Sequence, residues 1–201
     1  VRLKLLLATR NPAKVQEYSL LLQGAPLQLT SLAEEDISVE VSETGSTLEE
    51  NAKLKAAGYA VDSRFLVLAD DSGLEVDALG GEPGPLSARY AGADASDKGR
   101  ITLLLSRLEG VPWEKRSARF KCVIAIGATS KVVGLCEGQC EGVITFEPVG
   151  SQGFGYDPVF YLPELGKTMA ELSMEEKNRV SHRGKAARKA LQFVGKYVAG
   201  D

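Results

Sequence analysis

The sequence predicts a mixed α/β protein, and three observations predict it. Short apolar runs at residues 4–8, 27–32 and 65–69 have the length and composition of buried strands, and helix-like segments separate them. Further on, strand-like runs cluster, at 118–128, 131–140 and 143–146, without helices between them. A helix-periodic segment then closes the chain. Alternation followed by clustering is the pattern of helices packed on a mixed sheet.

Each element has a local cause. Residues 4–8 read as a strand, which explains their apolar character better than a signal peptide does. Thr9-Arg10-Asn11-Pro12 breaks that strand, and Pro12 suits the opening turn of a helix running to about residue 22. The acidic stretch 34–43, with Ile37, Val39 and Val41 alternating, suits a loop or an edge strand. Thr47 and Glu50 have the spacing of a capping box, which starts a helix running to about residue 61. The strand at 65–69 ends in Asp70-Asp71-Ser72-Gly73, and residues 80–85, mostly Gly and Pro, read as loop. Residues 96–108 form a helix with Ile101, Leu104, Leu105 and Leu108 on one face. A hairpin follows, turning near Thr129-Ser130, with a separate strand at 143–146 and a glycine-rich loop at 150–158. Residues 173–178 make a short helix, and Ser181 starts the last one, with Leu191, Val194 and Val198 as its buried stripe.

Composition narrows the function classes. A chain of 201 residues fits one domain, 1–201, and buries roughly 70% of its unfolded surface, so it needs neither disulfide nor metal to fold. The net charge of −3 argues against a general nucleic-acid binder, which carries a basic excess. It leaves room for a small anion held by a few local cations. No run approaches the roughly 18 apolar residues of a membrane span. Cys122, Cys136 and Cys140 are sparse and odd in number, which fits a reducing cytoplasm and half-buried thiols. The single histidine, His182, rules out two-histidine zinc motifs.

Four segments carry candidate chemistry. Thr9, Asn11 and Lys14 lie where a strand enters a helix, and free N–H groups, the dipole and a lysine there favour phosphate. A plain turn with Asn11 as cap explains the same residues. Asp70 and Asp71 stand side by side, which is costly unless a cation or water offsets their charge, and a hard ion such as Mg²⁺ prefers such oxygens. Asp71-Ser72-Gly73 also suits a turn. In Gly153-Phe154-Gly155-Tyr156-Asp157-Pro158, small residues flank an aromatic ring and let a flat ligand approach; the alternative is a surface turn with Phe154 in the core. Finally, Lys177 precedes Ser181-His182-Arg183-Gly184, where cations on a first helical turn oppose the dipole unless an anion or acceptor sits there. Ordinary solvated charges are the competing explanation.

In order along the chain, six segments resemble the pyrophosphatases of non-standard purine nucleoside triphosphates, the inosine triphosphatase or Ham1-like family. They are Thr9-Arg10-Asn11-Pro12-Ala13-Lys14, Thr44-Gly45-Ser46-Thr47 with Glu50-Asn51-Ala52, Ala69-Asp70-Asp71-Ser72-Gly73-Leu74, Ser87-Ala88-Arg89-Tyr90-Ala91-Gly92, Gly153 to Pro158, and Glu175-Glu176-Lys177 with Ser181-His182-Arg183-Gly184. Each is weakly specific; the ordered set is highly specific. The resemblance implies an elongated mixed sheet with two α/β lobes flanking a substrate cleft, in a cytoplasmic homodimer. It implies Mg²⁺-dependent hydrolysis of ITP, dITP and XTP to the monophosphate and pyrophosphate. By matching positions, Thr9, Arg10, Asn11, Pro12, Ala13 and Lys14 hold phosphates, and Lys55 adds a further contact. Asp71 is proton acceptor and metal ligand, joined by Glu40 or Glu43, with Ser72 beside it. Phe154, Gly155, Tyr156, Asp157, Lys177, His182 and Arg183 contact base and nucleotide.

The chain departs from the family pattern at Arg10, where a small residue is frequent, and in the order Glu40-Val41-Ser42-Glu43-Thr44. Arg10 then adds a phosphate contact or points to solvent. Competing functions are a Maf-like pyrophosphatase of modified nucleotides and a sensor that binds without hydrolysis. An aspartyl phosphatase would want Asp-x-Asp after the strand, which Asp71-Ser72-Gly73 does not offer.

Overall fold

Leucines dominate the first strand, β1 (Leu3–Leu7), and both of its faces are covered. It pairs in parallel with β2 (Leu27–Ser31) on one side and β3 (Leu66–Val76) on the other. Parallel neighbours need crossovers, and helices α1 (Pro12–Leu21) and α2 (Leu48–Tyr59) lie in the two connections. The computed structural model describes residues 3–61 and 65–200.

The described chain divides into two compact units, each gathered from separate stretches of sequence. The first comprises Val1–Asp71, Cys122–Gly138 and Arg183–Asp201; the second comprises Ser72–Lys121 and Gln139–His182. Among the described residues the strand order is β2-β1-β3-β5-β6-β7-β8, with β4 (Pro83–Gly84) paired to β3. Here β5 is Ser117–Ala128, β6 Lys131–Ile144, β7 Phe160–Leu162 and β8 Lys167–Thr168.

In the first unit the two-residue period of the strands sorts the core into two layers. Leu5, Leu7, Leu66 and Leu68 face Tyr18 of α1 and Ala186, Ala187, Ala190 and Val194 of α5 (His182–Ala199). Leu6, Val67 and Ala69 face Ala52, Ala56 and Ala60 on the α2 side. Pro12 occupies the first turn of α1, and the Thr47–Glu50 capping box is formed at the start of α2. The hairpin turns at Thr129 and Ser130, whose φ angles of 46° and 65° are both left-handed, as a two-residue turn between twisted strands demands.

In the second unit, Leu74 and Val76 pack with Ile101, Leu104 and Leu108 of the α3 region (α3 is Asp97–Arg107) and with Phe120, Ile144, Phe160, Leu162 and Met169. Strands β6 and β7 pair antiparallel, and α4 (Met174–Val180) follows Ser173, which caps it.

Several expectations need correction. β3 does not stop at Ala69 but runs on to Val76, because its two aspartates find cations that let a strand carry them. Residues 143–146 do not form a strand of their own: β6 continues to Ile144. Gly142, inside this strand, is small for packing: a Cβ there would lie 2.5 Å from the Phe160 ring. Residues 34–43 are loop, one of the two forms expected of them, while within the 80–85 loop Pro83–Gly84 pairs briefly with β3. Val198 is exposed; the buried stripe of α5 is alanine-rich and ends at Val194. The three cysteines are fully buried free thiols. No helix among the described residues is long and apolar enough to cross a membrane.

Candidate active site

Strand parity separates the two adjacent carboxylates. Asp70 points with Leu66 and Leu68 toward α1 and α5, where Lys14 and Arg183 meet it. Lys14 Nζ lies 3.0 Å from one Asp70 oxygen and 2.9 Å from the other, and Arg183 Nε lies 3.4 Å away. Arg183 also pairs with Glu17 of α1 at 2.5 Å, so four charged side chains form one buried chain, Glu17–Arg183–Asp70–Lys14. Burial alone would raise the Asp70 pKa, but Lys14, Arg183 and Lys55 outweigh it and hold this carboxyl well below the usual range. Asp70 is a fixed anion.

Asp71 points the opposite way, toward α2. Lys55 Nζ approaches one of its oxygens at 3.5 Å while donating to Glu43 Oε1 at 2.7 Å and to the Asp70 carbonyl at 2.6 Å. The other oxygen, Oδ2, is buried and has no hydrogen-bond partner. Burial raises the Asp71 pKa; Lys55 and Lys14 pull it down, Glu43 and Asp70 push it up, and the net direction is upward. On Lys55 the balance is reversed. Burial would lower its pKa, but Asp71, Asp70 and Glu43 raise it, so the ammonium stays charged. Glu43 is the glutamate that reaches this cluster, whereas Glu40 is exposed. No group of three His, Cys, Asp or Glu side chains among the described residues makes a metal cage.

The loop before α1 differs from the sequence expectation in one respect. Its first-turn N–H groups are not free. The Asn11 side chain accepts from Ala13 and Lys14 N–H at 2.9 and 3.4 Å, Val15 N–H donates to the Asn11 carbonyl, and Pro12 has none to give. The loop therefore offers a dipole end and the Lys14 ammonium. Arg10 is solvent-exposed, and its guanidinium donates to the carbonyls of Ile37, Ser38 and Val39 at 2.9, 3.0 and 3.1 Å, pinning the acidic loop. Thr9 accepts from Asn11 N–H through its hydroxyl.

The second unit builds the aromatic loop. Gly153 and Gly155 have φ angles of 75° and 62°, and a Cβ on Gly153 would meet Asp157 Oδ2 at 2.1 Å, so the turn around Phe154 requires glycine. Asp157 accepts from Phe154 N–H at 2.9 Å and pairs with buried Lys177 at 2.6 Å, whose ammonium stands 4.7 Å over the Phe154 ring. Tyr156 turns inward, is buried and donates to the Ser87 carbonyl at 2.9 Å. The buried His182 ring stacks on Phe120 with centroids 4.7 Å apart. Ser72 is half-buried on β3.

Within the first unit, then, Lys14, Lys55, Asp71 and Glu43 share one cluster around Asp70. Within the second, Phe154, Gly155, Asp157 and Lys177 share one loop. Sequence reasoning missed Glu17, Asp97, Arg100, Ser87 and Phe120. Asp97 had a local signal as an acid one position after the cap Ser96, but its distant partner, the Gly155 N–H, leaves no trace in spacing.

A sheet of this order, with a lysine–carboxylate cluster and a glycine-flanked aromatic loop, places the molecule in a class: the chain belongs to the Ham1 family, whose model matches residues 5–193. Two relatives narrow this further. The chain is 50% identical over 197 residues to the dITP/XTP pyrophosphatase of Geobacillus kaustophilus, covering 98% of this chain and 97% of that one, and 46% identical over 189 residues to that of Bacillus subtilis, covering 94% and 96%. Solved structures agree. A HAM1 protein from Coxiella burnetii superposes with a TM-score of 0.87 at 41% identity, covering 96% of this chain and 99% of that one. The Ham1 protein of Staphylococcus aureus does so with 0.85 at 40%, over the same shares.

Proposed function

We infer that the protein hydrolyses non-standard purine nucleoside triphosphates, among them dITP, ITP and XTP, to the monophosphate and pyrophosphate. The observation that carries this reading is the divergence of Asp70 and Asp71. One carboxylate is locked in ion pairs, while the other keeps a buried oxygen without a partner beside a charged lysine. Full-length identity to proteins named for that activity supplies the substrate class.

Water is a poor nucleophile, and Asp71 Oδ2 is the atom that orients it or accepts its proton. Lys55 and Lys14 offset charge on the phosphates, since positioning and electrostatics carry phosphoryl chemistry. The residues fit Mg²⁺ on the same atom: a buried, unpartnered carboxylate oxygen, with Glu43 reaching the same lysine, suits an ion that takes one or two carboxylates and completes its shell with substrate phosphates. Asp71 and Glu43 are the ligands proposed; when bound, the ion supplies further neutralisation of phosphate charge. A homodimer in the cytoplasm belongs to the same proposal and rests on family membership.

Phe154 offers the base a stacking face, in the reading proposed here. Hypoxanthine and xanthine carry a 6-keto acceptor where adenine carries an amino donor. Backbone N–H donors at His182 and Arg183 therefore pair with the former, while a buried mismatch with the latter costs roughly 1–3 kcal/mol. The Arg183 guanidinium itself is held by Glu17 and Asp70.

The test is pyrophosphate release from dITP, XTP, dATP and dGTP, with and without Mg²⁺. Release from the first two that needs Mg²⁺ is the expected outcome. Binding of dITP without release from any substrate would give the case to a non-hydrolysing sensor.

A further inference from the structure

We propose that Asp97 is a positioning residue for the nucleobase end of the site, holding the Phe154 loop in its stacking conformation. The proposal rests on the reading of that loop as a base platform. With left-handed glycines on both sides of Phe154, the backbone itself does not choose one conformation. Two carboxylates choose it. Asp157, inside the loop, accepts from Phe154 N–H; Asp97, 58 residues earlier, accepts from the next N–H, that of Gly155, at 2.7 Å.

Asp97 is itself well placed to act as an anchor. It is the first residue of α3, directly after the cap Ser96, where the helix dipole favours a negative charge. Arg100, one turn on, pairs with Asp97 Oδ1 and donates to the carbonyls of Ala88 and Ala95 at 2.7 and 2.8 Å. An acid serving only the helix start would need no more than the dipole and Arg100. Asp97 uses Oδ1 for Arg100 and Oδ2 for the loop, so the Gly155 bond is an additional, tertiary task. Through Ala88 the same arginine ties α3 to the Ser87–Arg89 turn, whose Ser87 carbonyl accepts from Tyr156, the other neighbour of Gly155. The loop is thus held on either side of Gly155 by one small network.

The experiment compares wild type, Asp97→Ala and Asp97→Asn. It reads kcat and KM for dITP, Kd for IMP, and Ki for inorganic tripolyphosphate, a probe that carries phosphates and no base. In Asp97→Ala, KM and the IMP Kd should rise about tenfold, as expected for losing one charge-assisted hydrogen bond, with kcat within about threefold and the tripolyphosphate Ki unchanged. Asp97→Asn keeps an acceptor for Gly155 and should recover most of the loss. Wild-type KM and Kd in Asp97→Ala would overturn the proposal. So would a parallel rise in the tripolyphosphate Ki, which would mean general damage to the fold. A wild-type protein that binds IMP but leaves dITP intact would sink the functional reading alone, and the IMP arm would still decide the role of Asp97.

Discussion

The two units solve different problems with different materials. The first buries charge: Glu17, Arg183, Asp70 and Lys55 are all at least nine-tenths shielded, with Lys14 and Asp71 close to it. The second shapes a loop from glycines, one aromatic face and a single buried pair, Lys177–Asp157. Buried ion pairs rarely add stability, since desolvation offsets most of the attraction, so a chain of them calls for another explanation. Triphosphate is the same in every nucleotide, and binding it demands fixed countercharge that does not relax. The base is what differs between substrates, and telling one from another depends on contacts that fit or fail. On the function proposed, rigid charge suits the constant part, and shaped, weaker contacts suit the variable one.

That contrast predicts a graded set of losses. The largest belongs to Asp71→Asn, which keeps shape and removes charge: kcat for dITP should fall by about 10²–10⁴-fold with the circular-dichroism spectrum intact. A kcat within tenfold of wild type would take Asp71 out of the mechanism. Next is Arg183→Met, which removes the buried guanidinium that pairs with both Glu17 and Asp70. Urea denaturation should show a stability loss of about 3–5 kcal/mol, and an unchanged midpoint would mean that the buried chain carries no folding energy. The smallest is Phe154→Ala in the second unit. Lost stacking of roughly 1–3 kcal/mol should appear as a KM increase of about 5- to 150-fold, with kcat nearly preserved. An unchanged KM would show that the ring is core, not platform.

Local signals in the sequence carried much of the fold. Asn11-Pro12 marks the start of α1, Thr47 and Glu50 mark that of α2, and the Thr129-Ser130 turn stands where the hairpin pattern puts it. Each of those features is decided by residues within four positions of one another. The extent of β3 was not legible, because Asp70 and Asp71 look like a strand end until Lys14, Lys55 and Arg183 arrive from distant segments. The continuity of β6 through Gly142 was not legible for the same reason, since that glycine answers to the Phe160 ring on a neighbouring strand. At the site, motif order picked out Lys14, Lys55, Asp71 and Phe154. Nothing local could have chosen Glu43 over Glu40, sent Arg10 to three carbonyls or joined Asp97 to Gly155, since those choices depend on chain paths rather than residue types.

The Glu17–Arg183 pair joins residues 166 positions apart. A chain leaving the ribosome exposes Glu17 and Asp70 long before their shared guanidinium exists, and until it emerges Asp70 has only Lys14 and Lys55 to offset it. The first unit therefore precedes the second along the chain and is also completed after it, since its last stretch follows the entire second unit. A nascent or truncated chain that ends before residue 183 carries two acids meant for the interior without the guanidinium that joins them. It is consequently the kind of intermediate that stays open to chaperones and proteases until Arg183 arrives.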